Sequence, residues 1–398
     1  MEGAGPVTDS FERVMKDIEE AEIRLVYLIF MDTNNRLYLK NLQPAELRNW
    51  ADGICVNGSF IEDFREDPNS DYLLIEPDTD TFRRFTWIDE PEGRAGGMIC
   101  DLRGIELSSR RCLKKAMERA GQLGFLVMAG NQFIYTFDHG SAGSRNVDLP
   151  DSPNTRFRNE LVRTFDSMGI DVEFGMMLTD ELDRIDLVPK TALTAADNMS
   201  MAKLVFESLS VKRQLANSMM VSGGNSVTSP LHLSLWDGEV TRNLFYDPED
   251  PEEFSVIGKR YINGILSNME LIVFLLHCLT AGEYRPGGLE RRWSTRRDNA
   301  FIQIPMYFRE KAKKVRSGWS KRVVLEGIPN CVNPYLLYSL VINAGLEGVT
   351  REYDRLPDDA PIDAVPLDEL AVRFVNSSLV HESFGERLSR HVAGKCHK

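Results

Sequence analysis

Two β-rich runs, Arg24–Phe30 (RLVYLIF) and Arg36–Leu42 (RLYLKNL), flank the segment Asp32-Thr33-Asn34-Asn35. Asn and Asp bond to their own backbone and tolerate left-handed conformations, so this spacing demands a hairpin. The chain therefore opens, after a helical pattern over residues 11–21, by committing itself to a sheet. A second β-rich set follows at Gly53–Phe60 and Tyr72–Ile75, and the Pro- and Gly-bearing segment IDEPEGRAGG leads into MICDL. These runs predict a small sheet domain over residues 1–105.

From Ser108 the pattern changes. SSRRCLKKAMERAGQLG reads as an amphipathic helix closed by Gly124, and the strand pattern of GFLVMAG to IYTF comes next. Helical signals recur at Thr155–Met168, Ala195–Ala216, Val256–Leu279 and Tyr335–Ala344, with strands such as LHLSLW and AFIQIP between them. The alternation has no strict βαβ period, which points to an α+β class with a second domain over residues 106–398. At 398 residues and 42% hydrophobic content the chain can bury a large core.

A formal charge of −13 gives no general electrostatic reason to meet a phosphate backbone or an anionic bilayer, so neither nucleic acid nor membrane is an expected partner. The acidic leading segment lacks the basic and apolar halves of a secretory signal, so a cytoplasmic protein is expected. Leu271–Ala281, the most apolar stretch, is far shorter than the roughly 20 residues a bilayer-spanning helix needs, and reads as a buried helix. The six cysteines (Cys55, Cys100, Cys112, Cys278, Cys331, Cys396) form no CxxC pair. Reduced structural thiols are expected, and Cys396-His397 reads as a mobile tail rather than a metal pair.

Several segments, in order, resemble the glutamine synthetase superfamily. The hairpin is similar to that family's "D-x-x-G-R" turn. DGICVNGSFIEDF, DYLLIEPDTDTF, Trp87 and the CDL at Cys100 are similar to "FDGSSIxGF…SDMxLxPDxxT…PW…CD". GIDVEF, TALTAADNM, HLSLWDG with NLF, YINGIL, DNAFIQIP and VNPYLLYSLVINAGLEG then follow the order of "GIxVE", "ALxxAD", "HxHxSLxxxGxNLF", "FxxGLL", "NRxAxIRIP" and "ANPYLxxAxxLxAGLxG". The resemblance implies a β-grasp amino-terminal domain, then a catalytic-type domain with a curved antiparallel sheet. It also implies a partner, namely further copies of the chain in a stacked ring, a decamer or dodecamer, with sites between neighbouring subunits.

Family enzymes phosphorylate a glutamate γ-carboxylate with ATP and let ammonia or an amine displace the phosphate. All participants are anionic, and two unit charges about 4 Å apart repel by roughly 4 kcal/mol even at an effective dielectric of 20. The family therefore holds magnesium or manganese with glutamates and one histidine. Aligned on those motifs, the ligand positions fall on Asn131 and Phe133 ("ExEF"), Leu178 and Arg184 ("HHE…GQxE", across a loop one residue shorter), Pro230 ("GSGMHxH") and Leu325, with Val324 the alternative ("VExRxPD"). None of these is a carboxylate or a histidine. The family arginines fall on Asp298, Gln303 and Gly327, and Asp298 would repel a triphosphate.

The resemblance also leaves a remnant pocket: Arg285 for a substrate arginine, Glu290 for the flap glutamate, Asn225 for the asparagine of "NGSGMH", and His232 for the second histidine, used around the nucleotide. The opposing reading is that these residues only hold loops. Trp87, Asn333, Pro334, Tyr335 and the Ser234–Gly238 turn read as folding residues. Asp171, Glu173, Asp180, Glu181, Asp183 and Asp186 read as solvated charge rather than a new metal site. Three functions remain open. One is a pseudoenzyme or a ring binding a small amino-acid-like ligand, with no metal or ATP expected. The second is a repurposed enzyme of specialised metabolism acting on a glutamyl or amine substrate. The third is a divergent γ-glutamyl-amine ligase.

Overall fold

The structure, a computed structural model, describes residues 6–50, 52–65, 67, 70–88, 94–136, 149–179, 181–216, 218–219, 227–284, 288–305, 317–355 and 365–397. The amino-terminal part comprises α1 (Pro6–Glu20), β1 (Leu25–Met31), β2 (Leu37–Leu42), the short α2 (Pro44–Leu47), β3 (Ile54–Val56), β4 (Leu73–Pro77), β5 (Arg83–Phe85) and β6 (Ala95–Arg103). The strands form one sheet in the order β2-β1-β6-β4-β3, with β5 also on β6, and β1 runs parallel to β6. The expected hairpin is present. Met31 pairs with Leu37, Asn35 takes φ 64°, and the Asp32 carboxylate accepts the Asn34 and Arg36 amides at 2.9 Å each. The segment Gly53–Phe60 is strand only at β3, because Asn57 accepts the Ser59 amide and turns the rest into 3-10 structure.

The remainder comprises α3 (Ser109–Gln122), β7 (Phe125–Thr136), α4 (Pro153–Ser167), β8 (Val172–Met177), β9 (Leu182–Leu187), β10 (Lys190–Thr191), α5 (Ala192–Lys212), β11 (Thr228–Asp237), α6 (Val256–Ser267), α7 (Met269–Leu279), β12 (Glu290–Ser294), β13 (Ala300–Gln303), β14 (Val323–Pro329), α8 (Pro334–Thr350), α9 (Leu367–Asn376), α10 (Ser378–Phe384) and α11 (Glu386–Ala393). Its strands run β12-β13-β14-β11-β7-β9-β8, with β10 also on β7. The pairs are antiparallel except β12–β13. The class is α+β, as the pattern predicts.

The single helix expected over Val256–Leu279 is two, bent by 57° at Asn268. The Asn268 side-chain amide donates to the Gly264 carbonyl and to Glu347, both at 3.0 Å, which pins the break against α8. Gly264 is required there, since a Cβ on it would meet the Ala344 carbonyl oxygen at 2.2 Å. Among the described residues no single helix is long and apolar enough to cross a membrane, and α7 is almost wholly buried in the core.

A charged cluster ties the two sheets together. Arg110 of α3 bonds Asp197 of α5 through two nitrogens at 2.9 and 2.8 Å, Asp101 of β6 at 2.9 Å and Asp78 at 2.8 Å. The Tyr335 hydroxyl donates to Asp197 at 2.7 Å, and Asn333 caps α8 while its amide donates to the Asp32 carbonyl at 2.9 Å. These residues serve the fold, as does Trp87, stacked on Phe85 at 4.5 Å.

The cysteines do not all remain thiols. Cys278 of α7 and Cys396 are joined in a disulfide across 118 residues. No sequence spacing announces the pair, because packing of the last turn on α7 brings the two together. Nor is the tail loose. Lys395 donates to Asn34 at 2.6 Å and Asp63 at 2.8 Å, and His391 lies 2.7 Å from Asp63, so the carboxy terminus clasps the hairpin turn.

Candidate functional site

Side chains alternate faces along a strand and cross-strand partners share a face, so pairing decides which residues meet. One face of the large sheet packs on helices. Phe133 meets Phe165 of α4 at 5.9 Å and Phe206 of α5 at 5.5 Å, and Asn131 donates to the Ala195 carbonyl at 3.2 Å and accepts from the Tyr338 hydroxyl. Leu231 opposes Asn131 and Leu325 on the same face, where Leu325 is wholly buried. Asp183, also on that face, pairs with the buried Arg158.

The other face carries a different set. Gln132 opposes Asp186, Ile134 and Met176 oppose Arg184, Phe174 opposes Asp186, His232 opposes Gly130 and Val324, and Val324 opposes Gln303. The structure therefore separates residues that the sequence alignment groups. Arg184, His232 and Gln303 lie on this second face with Gln132 and Val324, where Gln132, Asp186, Gln303 and Val324 are buried and Arg184 is partly exposed, whereas Asn131, Phe133 and Leu325 lie on the helix face. Leu178 sits past β8 in the turn, its amide bonded to the Leu182 carbonyl at 2.8 Å, and Met176 is the residue opposite Arg184.

The registers have physical causes. Between Ser229 and Leu231 the β11–β14 ladder shifts, and Glu326 with Gly327 face Pro230 alone across a bulge. Gly327 takes φ +71°, a conformation a side chain rarely adopts, and a Cβ there would meet Leu289 at 2.6 Å. A side chain at that position would be strained by the backbone conformation.

Arg184 organises one half of this second face. Its Nε and one terminal nitrogen bond the Asp186 carboxylate, Gln132 donates to the same carboxylate at 3.4 Å, and the guanidinium carbon lies 5.3 Å from the Phe174 ring centre. Burial, followed by the nearby charges of Arg322 and Arg184, pushes the His232 imidazole down to about 3. Burial pushes the Glu326 carboxyl up against the opposing influence of Arg297. At the far edge Arg292 bonds Glu290 at 2.5 Å and Asp298 at 3.1 Å, and Gln303 donates to Asp298 at 3.2 Å. The Ala300 amide first, then Ser294, Gln303 and Arg292 against burial, holds Asp298 well below the carboxylate range. Asn225, Arg285 and Asp180 lie outside the described residues. Among the described residues no group of three or more His, Cys, Asp or Glu is gathered where it could hold a metal ion.

Because the His232 pKa is lowered in the fold, the unfolded chain binds its proton more readily. The resulting stability is present above about pH 6.5 and is lost as pH falls toward 3. The His232 ring shift in NMR spectra, assigned with His232→Gln, is expected to stay flat between about pH 5 and 8. A midpoint near the ordinary histidine value would overturn this environment.

Sequence reasoning missed Gln132, Phe174, Met176 and Arg322. The available signal was the period of two around Phe133 and Tyr135, whose aromatic side chains belong in a core.

The family model for the glutamine synthetase catalytic domain matches residues 106–379. The chain is 28% identical to a glutamine synthetase of Mycobacterium tuberculosis (strain H37Rv) over 372 residues, which is 86% of this chain and 81% of that protein. It is 28% identical to one of Thermotoga maritima over 377 residues, 87% of this chain and 82% of that protein. Among solved structures it superposes on a GmaS/ADP complex with a TM-score of 0.79 at 15% identity, covering 96% of this chain and 94% of the other. It superposes equally, at 0.79 and 17% identity, on one described as a novel glutamine synthase homolog, covering 100% of this chain and 95% of the other.

Proposed function

This chain belongs to the glutamine synthetase family, and from that premise we propose that it has given up metal-dependent ligation and uses the family scaffold, as a ring, to bind a small amino-acid-like carboxylate without metal or ATP. The observation that carries this reading is the composition of the second face of the large sheet. In place of Asn131, Phe133, Leu178, Leu325 and Gly327, we take Gly130 and Gln132, Met176 and Arg184, Pro230, Val324 and Glu326 as the counterparts of the family's ligands and arginine, because the strand registers bring Gly130, Gln132, Met176, Arg184 and Val324 to one face, with Pro230 and Glu326 at the bulge beside them.

Magnesium and manganese take hard oxygen donors, and these residues do not fit such an ion. Arg184 places a cation where the family gathers carboxylates. What the face offers instead is guanidinium chemistry. Arg184 spends two donors on Asp186 and, among the described residues, no partner engages its remaining nitrogen, so it can receive a ligand carboxylate end-on. Beside it a neutral His232 supplies a hydrogen bond without a competing charge. A cytoplasmic location remains part of this reading.

Calorimetry in the presence of a chelator tests it. Glutarate is expected to bind wild type in the micromolar to millimolar range and to lose about tenfold or more on Arg184→Gln, whereas ATP shows no heat. Tight ATP binding, or acid binding indifferent to Arg184, would favour a ligase or repurposed enzyme instead.

The ring belongs to the same proposal. Phe60 is 85% and Tyr72 76% exposed on the amino-terminal sheet unit, large apolar surfaces that a neighbouring copy would cover. Light scattering is expected to report a mass many times 45.2 kDa, with Phe60→Asp shifting it toward single chains. A clean wild-type monomer at micromolar concentration would defeat the assembly.

A further inference from the structure

Phe174, Met176 and Leu178 follow one another at two-residue spacing and are 43%, 41% and 38% exposed. Phe174 and Met176 lie on the edge strand β8 and Leu178 in the turn beyond it; large apolar side chains left this exposed are costly to keep in water, and a row of this kind marks a contact surface. Here it runs beside a cation, since the Arg184 guanidinium lies 5.3 Å from the Phe174 ring centre and Met176 opposes Arg184 across the ladder. Asp186, which is buried, fixes that guanidinium from one side, and Gln132 fixes Asp186. The donor edge is therefore oriented before any ligand arrives, with an apolar shelf alongside it.

We propose that this face recognises a carboxylic acid carrying an apolar body, the carboxylate on Arg184 and the body on Phe174 and Met176. The inference rests on the metal-free binding reading above and narrows its ligand class. Two features of the face select together: a polar diacid satisfies the remaining guanidinium nitrogen but leaves the shelf wet, and an apolar alcohol covers the shelf but gives that nitrogen no charged acceptor. A second copy of the chain is the competing occupant. It is less suited, because the shelf adjoins a fixed, partly buried ion pair whose remaining donors would need a carboxylate rather than an apolar side chain.

The test uses 3-phenylpropionate, glutarate and 3-phenylpropan-1-ol as probes, with the full chain and a chelator present. Phenylpropionate is expected to bind at least about tenfold more tightly than either of the others. Phe174→Ser and Met176→Gln, at exposed positions, are each expected to weaken phenylpropionate about tenfold while leaving glutarate within about twofold. Unchanged thermal melting checks that both variants fold, and Arg184→Gln should weaken both acids. Glutarate binding as tightly as phenylpropionate overturns this inference but leaves the metal-free reading standing. Binding by neither acid sinks that reading itself. If Met176→Gln lowers the mass in light scattering without touching acid affinity, the shelf is an interface between copies and the inference fails.

Discussion

With ATP, glutamate and hydroxylamine, and with either magnesium or manganese supplied, the protein is expected to form γ-glutamyl hydroxamate no faster than background. Acyl phosphate chemistry brings a carboxylate against a triphosphate, and every 1.36 kcal/mol of uncompensated repulsion costs about tenfold in rate. Two unit charges about 4 Å apart contribute roughly 4 kcal/mol even with an effective dielectric of 20, and several such pairs would stand unneutralised. Asp298 adds a negative charge, kept ionised by the Ala300 amide, Ser294, Gln303 and Arg292. On the ligand positions proposed above, single reversions such as Arg184→Glu should not restore activity, because Pro230, Met176 and Val324 would still withhold donors. Turnover at about 1 per second or faster, an ordinary enzymatic rate, would overturn the proposed function outright.

Much of the architecture is legible in local chemistry. Asp32-Thr33-Asn34-Asn35 specifies its hairpin because the turn is stabilised within itself, and Asn333-Pro334 marks the start of α8 because the cap is made there. Strand register is less legible. Moving β7 or β14 by one residue exchanges Phe133 for Gln132 or Leu325 for Val324 between the two faces, and only packing against α4, α5 and α8 settles it. The bulge at Gly327 absorbs the residue that makes the motif spacing ambiguous. The Cys278–Cys396 bridge and the Arg110 cluster are invisible for a simpler reason. Their partners are far apart in sequence, 118 residues for the disulfide and 87 for Arg110–Asp197, and nothing local selects them.

That cluster gives the largest stability effect expected of a single substitution. Arg110→Met preserves apolar bulk in α3 but removes the cation shared by Asp78, Asp101 and Asp197, leaving buried carboxylates with Lys114 as the remaining cation on two of them. Breaking a buried ion pair from one side costs about 3–5 kcal/mol, far more than the pair itself is worth, because the orphaned charge stays desolvated. The sign with pH follows from Asp78. Burial pushes its carboxyl up, but Arg110 and Lys114 outweigh that and hold it below its ordinary value. Its contribution to stability is therefore present above the unfolded carboxylate value of about 4 and fades as pH falls below it. In the variant that contribution shrinks, so the gap between variant and wild type, read from urea midpoints, should be largest near neutral pH and narrow in acid. Arg110→Lys keeps the charge but loses the two-nitrogen grip on Asp197, and should fall between the two. Adding Asp197→Asn to Arg110→Met removes one orphaned charge and should recover part of the loss. A single Arg110→Met variant within about 1 kcal/mol of wild type, well below the cost of a broken buried pair, would mean that water or Lys114 already neutralises the cluster and that it contributes little to holding the two sheets together.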